Sequence, residues 1–492
     1  MTQKAITNYV EEKVAGSGST INFDKNNAGK IVVVGSDGSV ISGTITEKEI
    51  LDALIKSDSY DIEGALGLEI DYENKLFTRV QDAATYSIGN DFSIYPMYGG
   101  RIRCNVADDG TILAFYGDSS YKEDGTNGQV MVYQPKFYYA RVPAKLSSIK
   151  FGKAIRKETI IISATEKPGF KIHPAFINEN GEEVEYILLS AFNGNVFDAS
   201  ESAYNLEDNL IIDFDNDKLS SISNVKPVSG AKNQLSSINA EKLAKNRGTG
   251  WHITNMKVQS AEQMLELIEF GTLNTQSAIE NGITNISGNT FSNCSSLTGS
   301  APINGIAQST INEINGTTTE YTTNGMRALS YRGVENPWGN IWNFIGDALI
   351  SGNGNTEGGI PYICKNFNYS ESITSDYESV GFCIPGEHDW ISAMGYGNEN
   401  YDWVFMPAEV SNANSAVPVG DRIWTTSNLN AINAVLFGGY WNSGLESGSF
   451  YYGCDKEITY SSRNFGARLI FIPQKNSIYE ANLSAWNRKF GG

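Results

Sequence analysis

The sequence predicts an α+β fold in which short strands and loops outweigh a few amphipathic helices. Three observations carry this expectation. Glycine supplies 49 of 492 residues, above the usual share of about 7%. Tyr and Phe number 25 and 22, and β-branched and aromatic residues gather in short runs between turn residues, which is strand patterning. Charged residues make only 19%, which argues against a long coiled coil or a disordered tail. At roughly 150 residues per domain, the length suggests about three domains.

Along the chain, residues 2–13 place Ala5, Ile6, Tyr9 and Val10 on one side of a short helix that Gly16-Ser17-Gly18-Ser19 ends. A strand is expected at Lys30–Val34, with a turn at 36–39 into another at 40–41. Thr46 and Glu49 have capping-box spacing, and Ile50, Leu51, Leu54 and Ile55 give the next helix its apolar face. Residues 1–80 hold so few apolar groups that their core is expected to close against other copies or other proteins. From 81 to 245 the pattern is strand-rich, with strands expected at 130–139, 158–162 and 184–192 and a turn at Gly181.

Ser260 and Gln263 read as a capping pair for a helix buried through Met264, Leu265, Leu267, Ile268 and Phe270. Residues 285–325 and 351–359 read as loop. Trp338, Ile341, Trp342, Phe344 and Ile345 read as core.

Composition also excludes function classes. Lys+Arg is 37 against Asp+Glu 56, a net charge of −19. That balance opposes binding to nucleic-acid phosphates and to anionic membranes. The first residues show no apolar secretion segment, and no apolar run is long enough to span a bilayer. Cys104, Cys294, Cys364, Cys383 and Cys454 are odd in number and lack a CxxC pair, so buried thiols are expected rather than disulfides or zinc. With three histidines (His173, His252, His388), a His-built metal site is not expected. Asp213, Asp215 and Asp217 imitate the start of a calcium loop. The sixth position lacks Gly and Asn224 stands where the closing Glu belongs, so a solvated turn is expected. No GxSxG, HExxH or GxxxxGK[ST] motif occurs. Asp376, Glu378, Glu387 and Asp389 could in principle serve glycoside hydrolysis, but acids are abundant throughout the chain. No cofactor and no catalytic residue is expected.

The stretch 424–468 is distinctive. An apolar and small framework that includes Trp424, Val435, Leu436, Phe437, Gly438, Gly439, Trp441, Gly448 and Phe450 is threaded with hydrogen-bonding residues. The candidate binding residues are Asn428, Asn430, Asn433, Tyr440, Asn442, Ser443, Leu445, Glu446, Tyr451, Tyr452, Asp455, Tyr460 and Asn464. Tyr offers large contact area with few rotors to freeze, and Asn and Ser adapt their hydrogen bonds, as in antibody paratopes. On this reading Tyr440, Tyr451 and Tyr452 could all become Ala without harm to folding, whereas Trp441 and Gly439 belong to the frame.

The runs 435–441, 448–451 and 463–469 resemble the end of C-type-lectin domains of the formylglycine-generating-enzyme type. They are more similar still to the variable proteins of diversity-generating retroelements, a group that includes phage tropism determinants. In that group a reverse transcriptase mutates template adenines, so Asn, Tyr, Ser and Asp codons gather on one face of a fixed scaffold. Residues 130–139, Glu269-Phe270-Gly271-Thr272 with Gln276, and 331–339 resemble phage tail-tip proteins, and residues 3–10 resemble the start of tail fibres.

The resemblance implies a C-type-lectin-like fold behind a small N-terminal region. Its divisions are attachment and oligomerisation at 1–80, a β-rich region at 81–245, a lectin-like domain at 246–475 and a tail at 476–492. It implies a non-enzymatic receptor-binding protein of the phage virion, assembled in the host cytoplasm, with no nucleic-acid partner and no membrane insertion. Expected partners are a bacterial cell-surface receptor (protein or glycan), other phage tail proteins and two more copies in a homotrimer. The alternatives are a formylglycine-generating-type enzyme, which needs a cysteine pair that Cys454 lacks nearby, a capsule-degrading tail protein, and a bacterial surface variable protein.

Overall fold

The computed structural model describes residues 20–23, 30–34, 45–56, 61–287, 292–303, 305–309, 311–314, 317–320, 325–352, 358–412, 418–425 and 431–490. The expected helix at 2–13, the turn at 36–39 and the strand at 40–41 lie outside these residues. The fold is α+β and rich in sheet. Strand Lys30–Val34 forms as expected and pairs antiparallel with Thr20–Phe23.

The capping box at Thr46 is present in both directions. The Thr46 N–H donates to Glu49 Oε2 at 2.7 Å, and the Glu49 N–H donates to Thr46 Oγ1 at 3.1 Å. It opens helix α1 (Glu47–Lys56), whose Leu51 and Ile55 are buried. They pack against Tyr138, Ala140, Val142 and Ile161 of the main body, so this part of the first eighty residues closes its core within the chain.

Strand Lys153–Ser163 explains the arrangement. Alternate side chains leave opposite faces of a strand. Ile160 and Ile162 enter the large core, while Ile161 faces α1. The same strand pairs with Ala65–Asp71 and with Tyr138–Ser148. The expected strand at 130–139 is instead two, Gln129–Pro135 and Tyr138–Ser148. They belong to different sheets, and Pro135, which lacks an N–H, ends the first.

Two sheets matter for the site. The larger runs Tyr138–Ser148, Lys153–Ser163, Asp389–Tyr396, Arg422–Trp424, Gly448–Gly453, Ile432–Gly438, Trp342–Ser351. The second runs Trp251–Ile253, Leu469–Phe471, Tyr186–Ser190, Gln129–Pro135, Ile102–Val106, Ile112–Phe115. Residues on both sides of position 245 therefore share sheets and one core. Helix α2 (Ser237–Lys245) packs beside Trp251–Ile253.

Helix α3 (Met256–Phe270) lies between these layers. It starts earlier than the Ser260 pattern predicts, because Asn255 is the cap and accepts from the Val258 N–H at 2.8 Å. Gly271 closes it at φ +65°, a left-handed stop suited to glycine. Ser260 is buried inside the helix and hydrogen-bonds His173. Residues 285–325, expected as loop, include strand Ile306–Gln308 and the hairpin Ile311–Ile314/Thr317–Glu320.

The expected tail is helix α4 (Ser477–Phe490). Trp486 stacks on Tyr133 at 5.2 Å, and Tyr479 stacks on Tyr186 at 5.4 Å. The Asn482 amide donates to Gly110 O and accepts from the Ile112 N–H, each at 2.9 Å. No described helix is long and apolar enough to cross a membrane. All five cysteines are buried thiols outside any disulfide.

Candidate binding cleft

The cleft sits where strands Arg422–Trp424, Gly448–Gly453, Ile432–Gly438 and Trp342–Ser351 lie side by side. Its floor is held from below by α3, whose polar residues are buried with their apolar neighbours. Gln263 Nε2 donates to Ser449 O at 2.7 Å and to Tyr452 Oη at 2.8 Å. Ser449 Oγ donates to Glu266, and Asp421 Oδ2 accepts from the Phe450 N–H at 2.7 Å. A Cβ on Gly448 would meet Asp421 Oδ1 at 2.2 Å, which explains the glycine there.

One wall begins at consecutive glycines. Gly438 and Gly439 have φ +90° and +86°, the left-handed region that side chains disfavour. Their turn sends Trp441 into a small core with Cys294 and Ile341, while Tyr440 stays half-buried at the cleft. The two rings meet edge to face at 5.3 Å.

The cleft encloses about 360 Å³. It gathers Tyr440, Asn442, Ser443, Glu446, Tyr451, Asp455, Tyr460 and Asn464 from the expected set. Leu445 is exposed beside them, and Asn428 and Asn430 lie outside the described residues. Three expected surface positions are corrected. Asn433 is buried, and its Nδ2 donates to Cys454 O at 2.9 Å. Tyr452 is 0% exposed because its side chain points to α3. Tyr451, on the opposite face of the strand, is 1% exposed but lines the cleft. Replacing all three of Tyr440, Tyr451 and Tyr452 would therefore damage the core.

The structure adds residues that sequence reasoning left out of the binding set. Trp342, Trp424 and Phe465 line the cleft, as does Lys456. The signal lay in alternation, since Arg422 and Trp424 flank the fully buried Ile423. Trp424 stacks on His388 at 4.7 Å, and Trp342 lies 4.5 Å from Tyr451.

Glu446 organises this end. It accepts from Tyr451 Oη at 2.7 Å, from Trp424 Nε1 at 3.1 Å and from Arg422. Burial and the Glu446 carboxylate hold the Tyr451 phenol well above its ordinary value. At the other end Lys456 pairs with Asp455 at 2.6 Å. The acids considered for hydrolysis, Asp376, Glu378, Glu387 and Asp389, do not line the cleft. Among the described residues, no cluster of His, Cys, Asp and Glu could hold a metal ion. The 213–217 segment is a turn in which Asp213 accepts from the Asp215 N–H at 3.0 Å.

Buried titratable groups tie stability to pH. Burial pushes Glu266 up to about 8, Glu335 to about 7, and Asp347 and Asp208 to about 6. Burial alone would lower His252, but carboxylates of Glu241 and Glu179 outweigh it and raise it to about 9. In each case the folded chain binds protons that the unfolded chain has already released. Stability is then expected to fall as pH rises from about 5 to about 9. Urea titrations across that range check the slope, and Glu266→Gln should flatten its part below pH 8. Equal stability at pH 5 and pH 9 would contradict the assignment.

Solved structures similar to the chain are Major Tropism Determinant variants. The U1 variant is 14% identical, covering 92% of this chain and 94% of that one at a TM-score of 0.26. The M1 variant is 14% identical, covering 93% and 97% at 0.27, and the P3c variant 14%, covering 92% and 95% at 0.25. No family model matches the chain, and no curated protein does.

Proposed function

We propose that the chain is a non-enzymatic adhesin of a phage tail tip, which displays a variable Tyr/Asn/Ser-rich face on a C-type-lectin-like scaffold to bind a bacterial surface receptor. The observation that carries this reading is the cleft itself. Separate segments between 440 and 464 bring Tyr440, Asn442, Tyr460 and Asn464 around one concavity over a rigid aromatic floor. Aromatic anchors in a preformed pocket are what recognition sites use. The pairing of Trp251–Ile253 with Leu469–Phe471, which brings the ends of the 251–471 segment together just ahead of α3, supports the lectin-like scaffold.

The test is cell binding by the purified chain. Tyr440→Ala with Tyr460→Ala should cost about 2 kcal/mol or more, roughly thirtyfold in affinity, with the melting temperature nearly unchanged. Undiminished binding would refute the site. Cys454 is fully buried and its thiol is pushed up by burial, the reverse of what a reactive cysteine needs.

Virion attachment and trimer formation belong, on this proposal, to the N-terminal residues. Strand Ala65–Asp71 pairs with Lys153–Ser163, so the informative truncation keeps it. A chain beginning at residue 45 should still bind cells but fail to enter particles. Its incorporation, followed by immunoblotting of purified virions, would refute the attachment role. A nearby near-copy of the gene segment for 424–468, differing at adenines and accompanied by a reverse transcriptase gene, would mark the face as diversified.

A further inference from the structure

We infer that the cleft takes an uncharged sugar residue of a surface glycan, an inference that rests on the adhesin reading and names its ligand class. The first ground is charge. The chain as a whole carries −19, yet among the described residues that line the cleft each charge is neutralised in place. Glu446 is bound by Arg422, and Asp455 by Lys456 at 2.6 Å. Among the described residues, the cleft offers neither a free cation to an anionic ligand nor a free carboxylate to a basic one.

The second ground is what remains unspent. Trp424 Nε1 and Tyr451 Oη are both engaged with Glu446. Among the described residues, the phenol oxygens of Tyr440 and Tyr460, the Asn442 amide and Asn464 Nδ2 have no hydrogen-bond partner, Asn464 using only its Oδ1, toward Ser462. Four neutral groups that donate or accept therefore ring the aromatic surfaces of Trp342 and Trp424. A pyranose presents the matching chemistry, with uncharged hydroxyls at its rim and C–H groups on its faces. An apolar side chain of a protein partner would leave those four groups facing it unpaired, at a cost. The volume of about 360 Å³ lies at the small end of the 300–1,000 Å³ range of ligand pockets, which suits one or two sugar rings.

The experiment is a surface array of neutral and acidic oligosaccharides probed with the full chain, alongside whole-cell binding before and after periodate or proteinase treatment. The expected result is binding to neutral oligosaccharides, quenched Trp fluorescence on addition of the bound sugar, and at least tenfold loss in the Tyr440→Ala, Tyr460→Ala double variant. Cell binding should then be lost to periodate and survive proteinase. Binding confined to acidic sugars, or no array binding with proteinase-sensitive cell binding, overturns the inference and leaves the adhesin reading standing. No binding to arrays or to any cells removes both.

Discussion

Trp441→Ala is expected to lower folding stability by about 3–5 kcal/mol, the usual cost of emptying a buried Trp site. Tyr440→Ala, one residue away, should cost far less and act on binding. The Trp441 side chain is 1% exposed and fills the small core with Cys294, Ala328 and Ile341. Its backbone is bonded on both sides, the N–H to Asn340 O at 3.1 Å and the C=O from the Ile286 N–H at 2.6 Å. Gly439 cannot be widened to absorb the loss, since a Cβ there would meet Ser447 Oγ at 2.3 Å. Paired urea titrations of the two variants, with cell binding of each, separate frame from face. Equal stability losses would mean that the division between them is wrong.

Arg141→Met should be as damaging, at about 3–5 kcal/mol, because it strands a charge rather than a void. The guanidinium and Glu158 are both fully buried and paired through two nitrogens. Arg141 Nη1 also donates to Asp402 O and Val404 O at 2.9 Å each, and Tyr72 Oη donates to Glu158 at 2.8 Å. The methionine keeps much of the volume over the Phe405 ring, so the loss is electrostatic. Adding Glu158→Gln should recover part of it, the signature of coupled neighbours. A double variant no better than the single would show that packing, not charge, was lost.

Much of this was legible where the signal is local. Thr46 and Glu49 cap a helix because the capping box needs only residues three apart. Ser260 and Gln263 have the same spacing, yet both are buried and serve long-range bonds, and Asn255 caps instead. The expected tail at 476–492 carries helix α4, a signal present in Tyr479, Leu483, Trp486 and Phe490, which recur at helical intervals. At the site, composition located the segment but not the facing of its members. Tyr451 and Tyr452 are the same residue type, and only the position of α3 beneath the strand decides which one meets the cleft. Trp342 reads as core and Trp424 as frame because a large aromatic can serve core and cleft at once.

The junction at Glu446 has a consequence for how this surface can change over generations. One carboxylate fastens Tyr451, Trp424 and Arg422, which come from two strands, Arg422–Trp424 and Gly448–Gly453. An exchange at 446 removes the acceptor shared by all three and leaves Trp424 Nε1 only Tyr451 Oη, so a tolerated replacement there depends on what already occupies 451 and 422. Outlying positions such as Asn442 and Leu445 carry no such debt and can vary independently. Substitutions should therefore be tolerated most readily along the margin, with the centre accepting change only in concerted steps.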